Sequence, residues 1–292
     1  MNYKISAYST ALFSSWINVE ELNLLIDAGD GLTAGLMQKS RKIKYVFITH
    51  ADRDHLNGLP QFIQLNSRPD FPELYYPKNS GSFPAMQQFL SKFDPHVTGS
   101  KWKGIEDGQI IAIKKGFEIQ AIRNEHIQVP IGVHKSFSYK LYETKKKLKP
   151  EFKNYTQEQI KNVAIEKGRD FLSETTRKNI ISFSGDTPVD DYSKWDNCEL
   201  LIHEATFLRP EADTKIEFKR NKHSTLAEVL KMVKEININQ LILNHFSSRY
   251  SKEEVTQAVQ KQLKALSIKI PVFVVYPGEI KRDILRTTPI NG

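Results

Sequence analysis

The 292-residue sequence contains one cysteine, Cys198, and lacks any long apolar run. A single cysteine cannot form an internal disulfide, so nothing in the sequence points to an oxidising compartment. A helix that crosses a bilayer needs about 18 or more consecutive apolar residues, and the residues after Met1 form a polar, alternating stretch rather than the apolar core of a signal peptide. We therefore expect a cytoplasmic protein without a membrane span.

Basic residues outnumber acidic ones and are concentrated in one segment. The chain has 42 lysines and arginines against 34 aspartates and glutamates, a net charge of +8, which favours polyanionic partners without identifying one. Residues 140–178 hold 11 basic and 6 acidic residues and include the run Lys145-Lys146-Lys147-Leu148-Lys149. Such a run forms either a solvated surface or a contact surface for a phosphate backbone.

The hydrophobic pattern predicts an α/β protein. With 39% hydrophobic and 26% charged residues, the composition is that of a globular protein and excludes disorder and collagen. Short apolar runs predict strands over residues 23–26, 43–49, 118–122, 137–142, 180–183, 199–203, 240–244 and 272–276. Helical patterns cover residues 56–66, 83–93, 158–167, 226–235 and 252–266, and Thr225 with Glu228 and Ser251 with Glu254 have the spacing of capping boxes. Polar residues cluster after several strands, which indicates a site on the loops at one sheet edge.

The length leaves one large domain or two domains open. Residues 142–178 interrupt the alternation of strands and helices, because they hold one helix between lysine-rich flanks. We expect a single domain over residues 1–292 with a basic insertion, or arm, at about 142–178.

Four possible metal ligands lie within six residues in the string His50-Ala51-Asp52-Arg53-Asp54-His55. The string follows a predicted strand and precedes a predicted helix, so the turn can direct successive side chains into one cavity. A polar loop with capping aspartates is the alternative. The metal centre is favoured, because two histidines and two aspartates this close together would otherwise repel and serve no packing purpose.

This string resembles the His-x-His-x-Asp-His signature of the metallo-β-lactamase fold, with Asp52 where the signature has histidine. Four later motifs resemble those of the tRNase Z branch, in the expected order. They are Ser184-Gly185-Asp186-Thr187, His203-Glu204-Ala205-Thr206-Phe207, His223-Ser224-Thr225 and Leu243-Asn244-His245-Phe246-Ser247-Ser248-Arg249-Tyr250. The resemblance spans about residues 24–250 and implies an αββα sandwich, two mixed β-sheets flanked by helices, and a homodimer.

The resemblance also implies two divalent metal ions bridged by Asp186. The ligands of one ion would be His50, Asp52 and a histidine from the middle of the chain, and those of the other would be Asp54, His55 and His245. His126 is favoured as the middle histidine, because it follows the predicted strand 118–122 at about the family's distance. His134 is the alternative. Zinc is the expected metal.

Asp52 changes the expected properties of this centre. A third ligating carboxylate makes the centre less positive, so it should attract phosphate less strongly and acidify bound water less. The harder oxygen donor should also shift the preference at that position from zinc towards manganese or iron.

Two metal ions suit phosphodiester hydrolysis, because together they can activate water, hold the phosphodiester and neutralise charge on its oxygens. The departing sugar oxygen still needs a proton from a nearby acid. The candidate catalytic residues are Asp54, Glu204 and His223, and the resembled family uses the positions of Glu204 and His223 for this proton. As alternatives, Glu204 is a structural ion-pair partner and His223 a helix-flanking residue. Ser247 and Arg249 are candidates for binding the scissile phosphate.

The resemblance therefore implies an endoribonuclease that removes 3′ trailers from precursor tRNA and leaves a 3′-hydroxyl. Two departures bear on the substrate: residues 9–16 replace the family's loop of lysine and arginine, and the Gly-Pro-rich tip of the tRNA-binding arm is absent. One alternative is a hydrolase of cyclic nucleotides or another small phosphodiester. A non-catalytic RNA-binding relative is the third hypothesis.

Overall fold

Two β-sheets pack face to face in the computed structural model, which describes residues 3–209 and 223–292. The first sheet contains, in spatial order, β1 (Ile5–Thr10), β2 (Ser14–Val19), β3 (Leu24–Ile26), β4 (Tyr45–Phe47), β5 (Glu73–Pro77) and β6 (Lys101–Ile105). The second contains β13 (Val272–Val274), β12 (Ile238–Asn244), β11 (Cys198–Glu204), β10 (Ser173–Phe183), β9 (Phe137–Leu148), β8 (Phe117–Arg123) and β7 (Ile110–Lys114). Both sheets are mixed: β3 to β6 and β10 to β13 pair in parallel, and the other neighbours pair antiparallel.

Alternation along the strands divides the apolar residues among three cores. In β3, Leu24 and Ile26 face the second sheet, whereas Leu25 faces the helices outside the first sheet. In β11, Ile202 lies in the core between the sheets and Leu201 packs under the helices outside the second sheet. Because successive strand residues point to opposite faces, each sheet is apolar on both sides. The predicted αββα sandwich is therefore confirmed.

The described residues form the α-helices α1 (Leu32–Leu36), α2 (Arg53–Leu56), α3 (Leu59–Asn66), α4 (Ser82–Phe93), α5 (Gln157–Lys167), α6 (Leu226–Glu235) and α7 (Lys252–Leu266). All of these helices except α5 cover the outer faces of the two sheets. The predicted capping boxes of Thr225 and Ser251 are confirmed at α6 and α7. Within the described ranges, no helix has both the length and the apolar character that crossing a membrane requires.

The helix predicted over residues 56–66 is confirmed over Leu59–Asn66 as α3, but its start was wrong, because Leu56 ends the separate helix α2 and a break follows it. At the break, the Gly58 amide donates to the Ala28 carbonyl over 2.8 Å. A Cβ atom on Gly58 would lie 2.2 Å from the Gly29 carbonyl oxygen. The close approach of two loops therefore interrupts the helix at a glycine.

Each of the eight predicted strands overlaps an observed one, but β1, β2, β5, β6 and β7 were missed. β1 and β2 were overlooked because they are rich in serine. Ser9 and Ser15 are buried and pair through their hydroxyl groups across the two strands, with 3.0 Å between the oxygens. Paired hydroxyls can be buried at little cost, and they obscure the apolar pattern of a strand.

Residues 142–178 form a hairpin that extends two strands of the second sheet. β9 and β10 pair as far as Leu148 and Ser173, and α5 lies between them in the chain. Phe152 and Leu172, which lie just beyond the outer ends of these two strands, are buried. We call residues 142–178 the arm.

Candidate metal centre

Five strands end at one edge of the sandwich, where the polar groups of the site converge. β3 and β4 are parallel neighbours in the first sheet, and β10, β11 and β12 are parallel neighbours in the second. Asp27, His50, Asp186, Glu204 and His245 lie at or shortly after the ends of these strands. The carboxyl ends of parallel strands meet at a common edge, which is why residues so distant in sequence become neighbours.

Asp52, Asp54 and His55 are presented by one turn of helix. Asp52 precedes α2 with an extended backbone, and its carbonyl accepts a 3.0 Å hydrogen bond from the His55 amide. The His55 carbonyl in turn accepts from the Ala28 amide over 2.8 Å. The turn is thus anchored to the loop after β3, and its side chains point towards the strand ends.

The first group of candidate ligands consists of His50, Asp52 and His126. The Asp52 Oδ2 atom lies 3.6 Å from His50 Nε2 and 3.7 Å from His126 Nε2. His134 belongs to none of the ligand groups in the described part of the chain. Its amide instead donates to the Asn79 side chain over 2.9 Å. The structure thus brings His126, and not His134, to this group.

The second group consists of Asp54, His55 and His245. The Asp54 Oδ2 atom lies 3.5 Å from His55 Nε2 and 3.6 Å from His245 Nε2. Within each group, the possible ligand atoms lie within 4.8 Å of one another. His245 has a φ of 61°, a left-handed conformation that is uncommon outside glycine and that turns its ring into the site.

Asp186 lies between the two groups. Its Oδ2 atom is 3.7 Å from His50 Nε2, 3.2 Å from His55 Nε2 and 3.4 Å from His245 Nε2. One carboxylate therefore approaches histidines of both groups, as a bridging ligand must. All seven predicted ligand side chains are gathered at one place.

Three histidines are arranged as metal-binding histidines usually are. The Nδ1 atoms have partners: His50 contacts Thr49 Oγ1 at 2.9 Å, His55 contacts Asp27 Oδ2 at 2.8 Å, and His245 contacts Thr206 Oγ1 at 3.0 Å. The Nε2 atoms of these same histidines are buried and hydrogen-bond to no described residue. Buried nitrogen atoms without a partner are costly. Bound cations on Nε2 would remove that cost, so the residues fit a divalent metal pair.

The carboxylates of the site are ionised, which a cation requires of its ligands. The imidazole rings of His126 and His50, whose Nε2 atoms lie 3.7 and 3.6 Å from Asp52 Oδ2, hold the pKa of Asp52 well below its usual range. Burial would raise the pKa of Asp186, but His245 and His55 keep it well below the usual value. The donor set of imidazole nitrogen and carboxylate oxygen suits zinc and neighbouring divalent ions.

A glutamate–histidine pair lies beside the ligand groups. His223 Nδ1 is 3.2 Å from Glu204 Oε1 and 3.9 Å from Asp186 Oδ2. Glu204 is fully buried, and its Oε1 atom also accepts a 2.6 Å hydrogen bond from the Thr187 amide. Burial would lower the pKa of His223, but the Glu204 carboxylate, with a contribution from Asp186, raises it to about 9. His223 is therefore a cation at neutral pH.

Ser247 and Arg249 lie at the rim of the site. The Arg249 Nε atom donates to Ser247 Oγ over 3.1 Å, and Ser247 forms a β-bridge with Ala11. His203 does not join the ligand groups. It is buried, and its Nδ1 atom contacts the Glu204 carbonyl at 2.8 Å.

The sequence analysis missed Asp27, Thr49 and Thr206. These residues contact the Nδ1 atoms of the three histidines, on the side of each ring away from the candidate metal site. Asp27 is completely buried, and it accepts hydrogen bonds from the Thr49 amide and from His55. The sequence did offer a signal for Asp27, because an aspartate directly after the apolar run of β3 indicates a polar site at the end of that strand. Thr206 lies inside a motif that was identified, but its contacts depend on how β11 and β12 pair.

Comparison with known proteins is consistent with this geometry. Residues 22–148 match the model of the β-lactamase superfamily domain. The chain is 28% identical over 283 residues to tRNase Z TRZ2, chloroplastic, of Arabidopsis thaliana, with 92% of this chain and 74% of that protein covered. It is 28% identical over 294 residues to ribonuclease Z of Methanocaldococcus jannaschii, with 89% of each covered. The metallo-β-lactamase fold protein YhfI from Bacillus subtilis matches with a TM-score of 0.64 and 15% identity, over 96% of this chain and 100% of that one.

Proposed function

We propose that this chain, which has the metallo-β-lactamase fold, is a metal-dependent endoribonuclease that removes 3′ trailers from precursor tRNA. The observation that carries the proposal is the convergence of seven histidine and aspartate side chains beside the Glu204–His223 pair. Similarity to proteins named tRNase Z and ribonuclease Z over most of the chain supports RNA as the substrate. We also propose that the enzyme works in the cytoplasm as a homodimer.

Two divalent ions would occupy the site. The proposed ligands are His50, Asp52, His126, Asp54, His55, His245 and the bridging Asp186. Bound there, the ions would supply Lewis acidity towards the phosphodiester and neutralise charge on its oxygens. We propose zinc, with manganese or iron as the alternative on the side of Asp52, because carboxylate oxygen is the harder donor.

The Glu204–His223 pair would supply the proton for the departing sugar oxygen. Glu204 engages Nδ1 of His223, so Nε2 is the nitrogen left to face a substrate. The Glu204 carboxylate raises the pKa of His223, which favours the protonated imidazolium that a general acid needs. General-acid catalysis of this kind contributes a factor of about 10²–10⁴ in rate.

The arm would hold the RNA backbone. It encloses an open cleft of about 680 Å³ that is lined by four basic side chains and by no acidic one. These basic side chains are Lys146, Lys147, Lys161 and Arg169. β10 runs from Ser173 in the arm to Phe183, three residues before Asp186, and its 11 residues span about 36 Å at about 3.3 Å each. A strand of the second sheet therefore connects the basic cleft to the proposed cleavage site.

The test is to incubate zinc-loaded protein with a precursor tRNA that carries a 3′ trailer and, separately, with a panel of cyclic nucleotides. We expect trailer removal that leaves a 3′-hydroxyl and falls about 10²–10⁴-fold in His223→Ala, which removes the proposed acid and leaves the proposed metal ligands in place. Glu235→Ala, at the exposed end of α6, is the control and should keep full activity. Turnover confined to the cyclic compounds would replace the proposal with the small-phosphodiester alternative, and no turnover of either class would favour the RNA-binding relative.

A further inference from the structure

The tip of the β1–β2 hairpin exposes two large apolar side chains. Leu12 is 84% exposed and Phe13 is 61% exposed. The tip is a tight turn in which the Phe13 amide donates to the Thr10 carbonyl over 3.0 Å. Leu12 has a φ of 68°, a conformation in which turns of this kind favour glycine or asparagine. Neither burial nor backbone conformation explains leucine at this position.

The tip is fixed directly against the proposed metal centre. The Leu12 amide donates to Asp54 Oδ2 over 3.0 Å, so the turn contacts a proposed ligand. The Ala11 amide donates over 3.2 Å to the carbonyl of Phe246, the residue after His245. The turn is therefore bound to both sheets at the opening of the site.

Gly29 allows the hairpin to approach this closely. A Cβ atom on Gly29 would lie 2.4 Å from both the Asp54 carbonyl oxygen and Ser14 Oγ. Ser14 also donates to the Asp30 carbonyl over 2.7 Å. The exposed side chains thus stand on a well-anchored turn rather than on a loosely attached loop.

The hairpin tip itself offers a substrate exposed apolar side chains and no charge. Residues 5–19 contain no charged side chain, so this hairpin cannot hold a phosphate by charge. An unpaired nucleobase has an apolar face that stacks on aromatic side chains with little dependence on its identity. When a phosphodiester lies at the metal centre, the base of an adjoining nucleotide must lie near the rim.

We propose that Leu12 and Phe13 form a platform on which an unpaired base of the RNA, next to the scissile phosphodiester, stacks. This inference rests on the proposed phosphodiesterase function and adds a specificity determinant to it. A second copy of this chain covering the same side chains is the competing occupant.

The exposed pair Phe89 and Phe93 on α4 provides a matched control. Phe93 is 70% exposed, similar to Phe13, and its ring stacks on that of Phe89 at 5.5 Å between centroids. α4 covers the outside of the first sheet and contributes no candidate ligand. Phe93→Ser therefore removes an exposed aromatic ring of the same size away from the site.

The binding experiment uses zinc-loaded full-length protein in a His223→Ala background, so that the RNA stays intact while Glu204 still supports His245 through Thr206. The probe is a trailer-bearing precursor tRNA with 2-aminopurine at one of the two nucleotides that flank the cleavage site, and an abasic version of the same RNA is the comparison. Stacking quenches 2-aminopurine fluorescence. We expect Phe13→Ser to abolish the quenching and weaken affinity about 5-fold to 100-fold for the base-bearing RNA alone. Phe13→Trp should restore both, and Phe93→Ser should change neither.

Leu12→Gly separates binding from folding. Glycine relieves the left-handed backbone, so the melting temperature should hold or rise while affinity for the base-bearing RNA falls. In the enzyme with His223 intact, Phe13→Ser should raise KM with little change in kcat.

Equal affinity of Phe13→Ser and wild type, or equal losses for base-bearing and abasic RNA, would overturn the platform. So would a Phe13→Ser protein that sediments as a smaller assembly than wild type, because the side chain would then lie in a subunit interface. Cleavage without any dependence on Phe13 removes the platform and leaves the proposed function intact. If RNA binding depends on the base and on Phe13 but wild-type protein cleaves no phosphodiester, the proposed function is overturned and the platform stands.

Discussion

Asp27→Asn should weaken metal binding at one side of the site and leave the other side nearly intact. Asp27 Oδ1 accepts from the Thr49 amide at 2.7 Å, and Oδ2 contacts His55 Nδ1 at 2.8 Å. Asparagine has the same shape, and its carbonyl oxygen at the position of Oδ1 can still accept from both the amide and the hydroxyl of Thr49, so the support of His50 through Thr49 is kept. Its amide nitrogen would then face His55 Nδ1, and two donors cannot pair.

His55 has two ways to respond, and both weaken the site. The ring can tilt away, or it can move its proton to Nε2, the nitrogen that the metal needs. Loss of such a supporting hydrogen bond typically lowers metal affinity about 10–100-fold, which corresponds to about 1.4–2.8 kcal/mol. Losing the charge-assisted hydrogen bond should also lower the free energy of unfolding by about 1.5–3 kcal/mol.

Zinc titration in competition with a chromogenic chelator, together with metal analysis, measures this effect. We expect one tight equivalent and one equivalent weakened about 10–100-fold, in a protein whose circular dichroism spectrum is unchanged. Asp30→Asn is the matched control, because Asp30 is exposed and its carboxylate accepts from the amide of the next residue. Two equivalents bound by folded Asp27→Asn with wild-type affinity would refute the reasoning.

Three further predictions follow from the same contacts. Thr206→Val removes the hydroxyl that holds His245, and should lower zinc affinity about 10-fold or more by the same titration, whereas Thr225→Val at a helix cap should lower only the melting temperature. Replacing lysines 145, 146 and 147 by alanine should reduce the slope of log affinity for tRNA against log salt by about 2–3, at about 0.7–0.9 per lost phosphate contact. The control replaces exposed lysines 231, 261 and 264 on α6 and α7, and equal slopes for both triple variants would exclude the arm as the RNA-binding element. Asp52→His should raise the preference for zinc over manganese in competition binding, and an unchanged preference would show that this ligand does not set metal identity.

Most residues of the candidate site could be predicted because they lie in short strings with their own signatures. His50 to His55 are close in sequence, and Asp186, Glu204 and His245 lie in motifs at or directly after apolar runs, whereas His126 lies in no such motif and His134 stayed open as its alternative. Their supports could not be predicted in the same way. Asp27 reaches His55 only because β3 and β4 are parallel neighbours, and a pairing of strands is not written in either segment alone.

The arm shows the opposite case, in which composition located a segment but not its structure. The lysine-rich flanks suggested an insertion with one helix. In the structure the flanks are β9 and β10, which are continuous with the second sheet. Lys145 and Thr176 are too polar for a buried strand, but they can form an exposed one, because this part of the hairpin is in contact with solvent.

The same pattern of hydrogen bonds sets the tautomer of one histidine at the edge of each sheet. A threonine hydroxyl carries one proton, so it can donate once and must otherwise accept. Thr49 donates to the Asp27 carboxylate and must therefore accept from Nδ1 of His50.

In the second sheet, Thr206 donates to the Glu204 carboxylate and must accept from Nδ1 of His245. Each histidine is thereby restricted to the tautomer with a proton on Nδ1 and a free electron pair on Nε2, the form that binds a cation. Glu204 serves two purposes in this arrangement, because one oxygen sets the tautomer of His245 through Thr206 and the other engages His223. Metal binding and proton supply are consequently coupled through a single carboxylate, and a variant of Glu204 disturbs both.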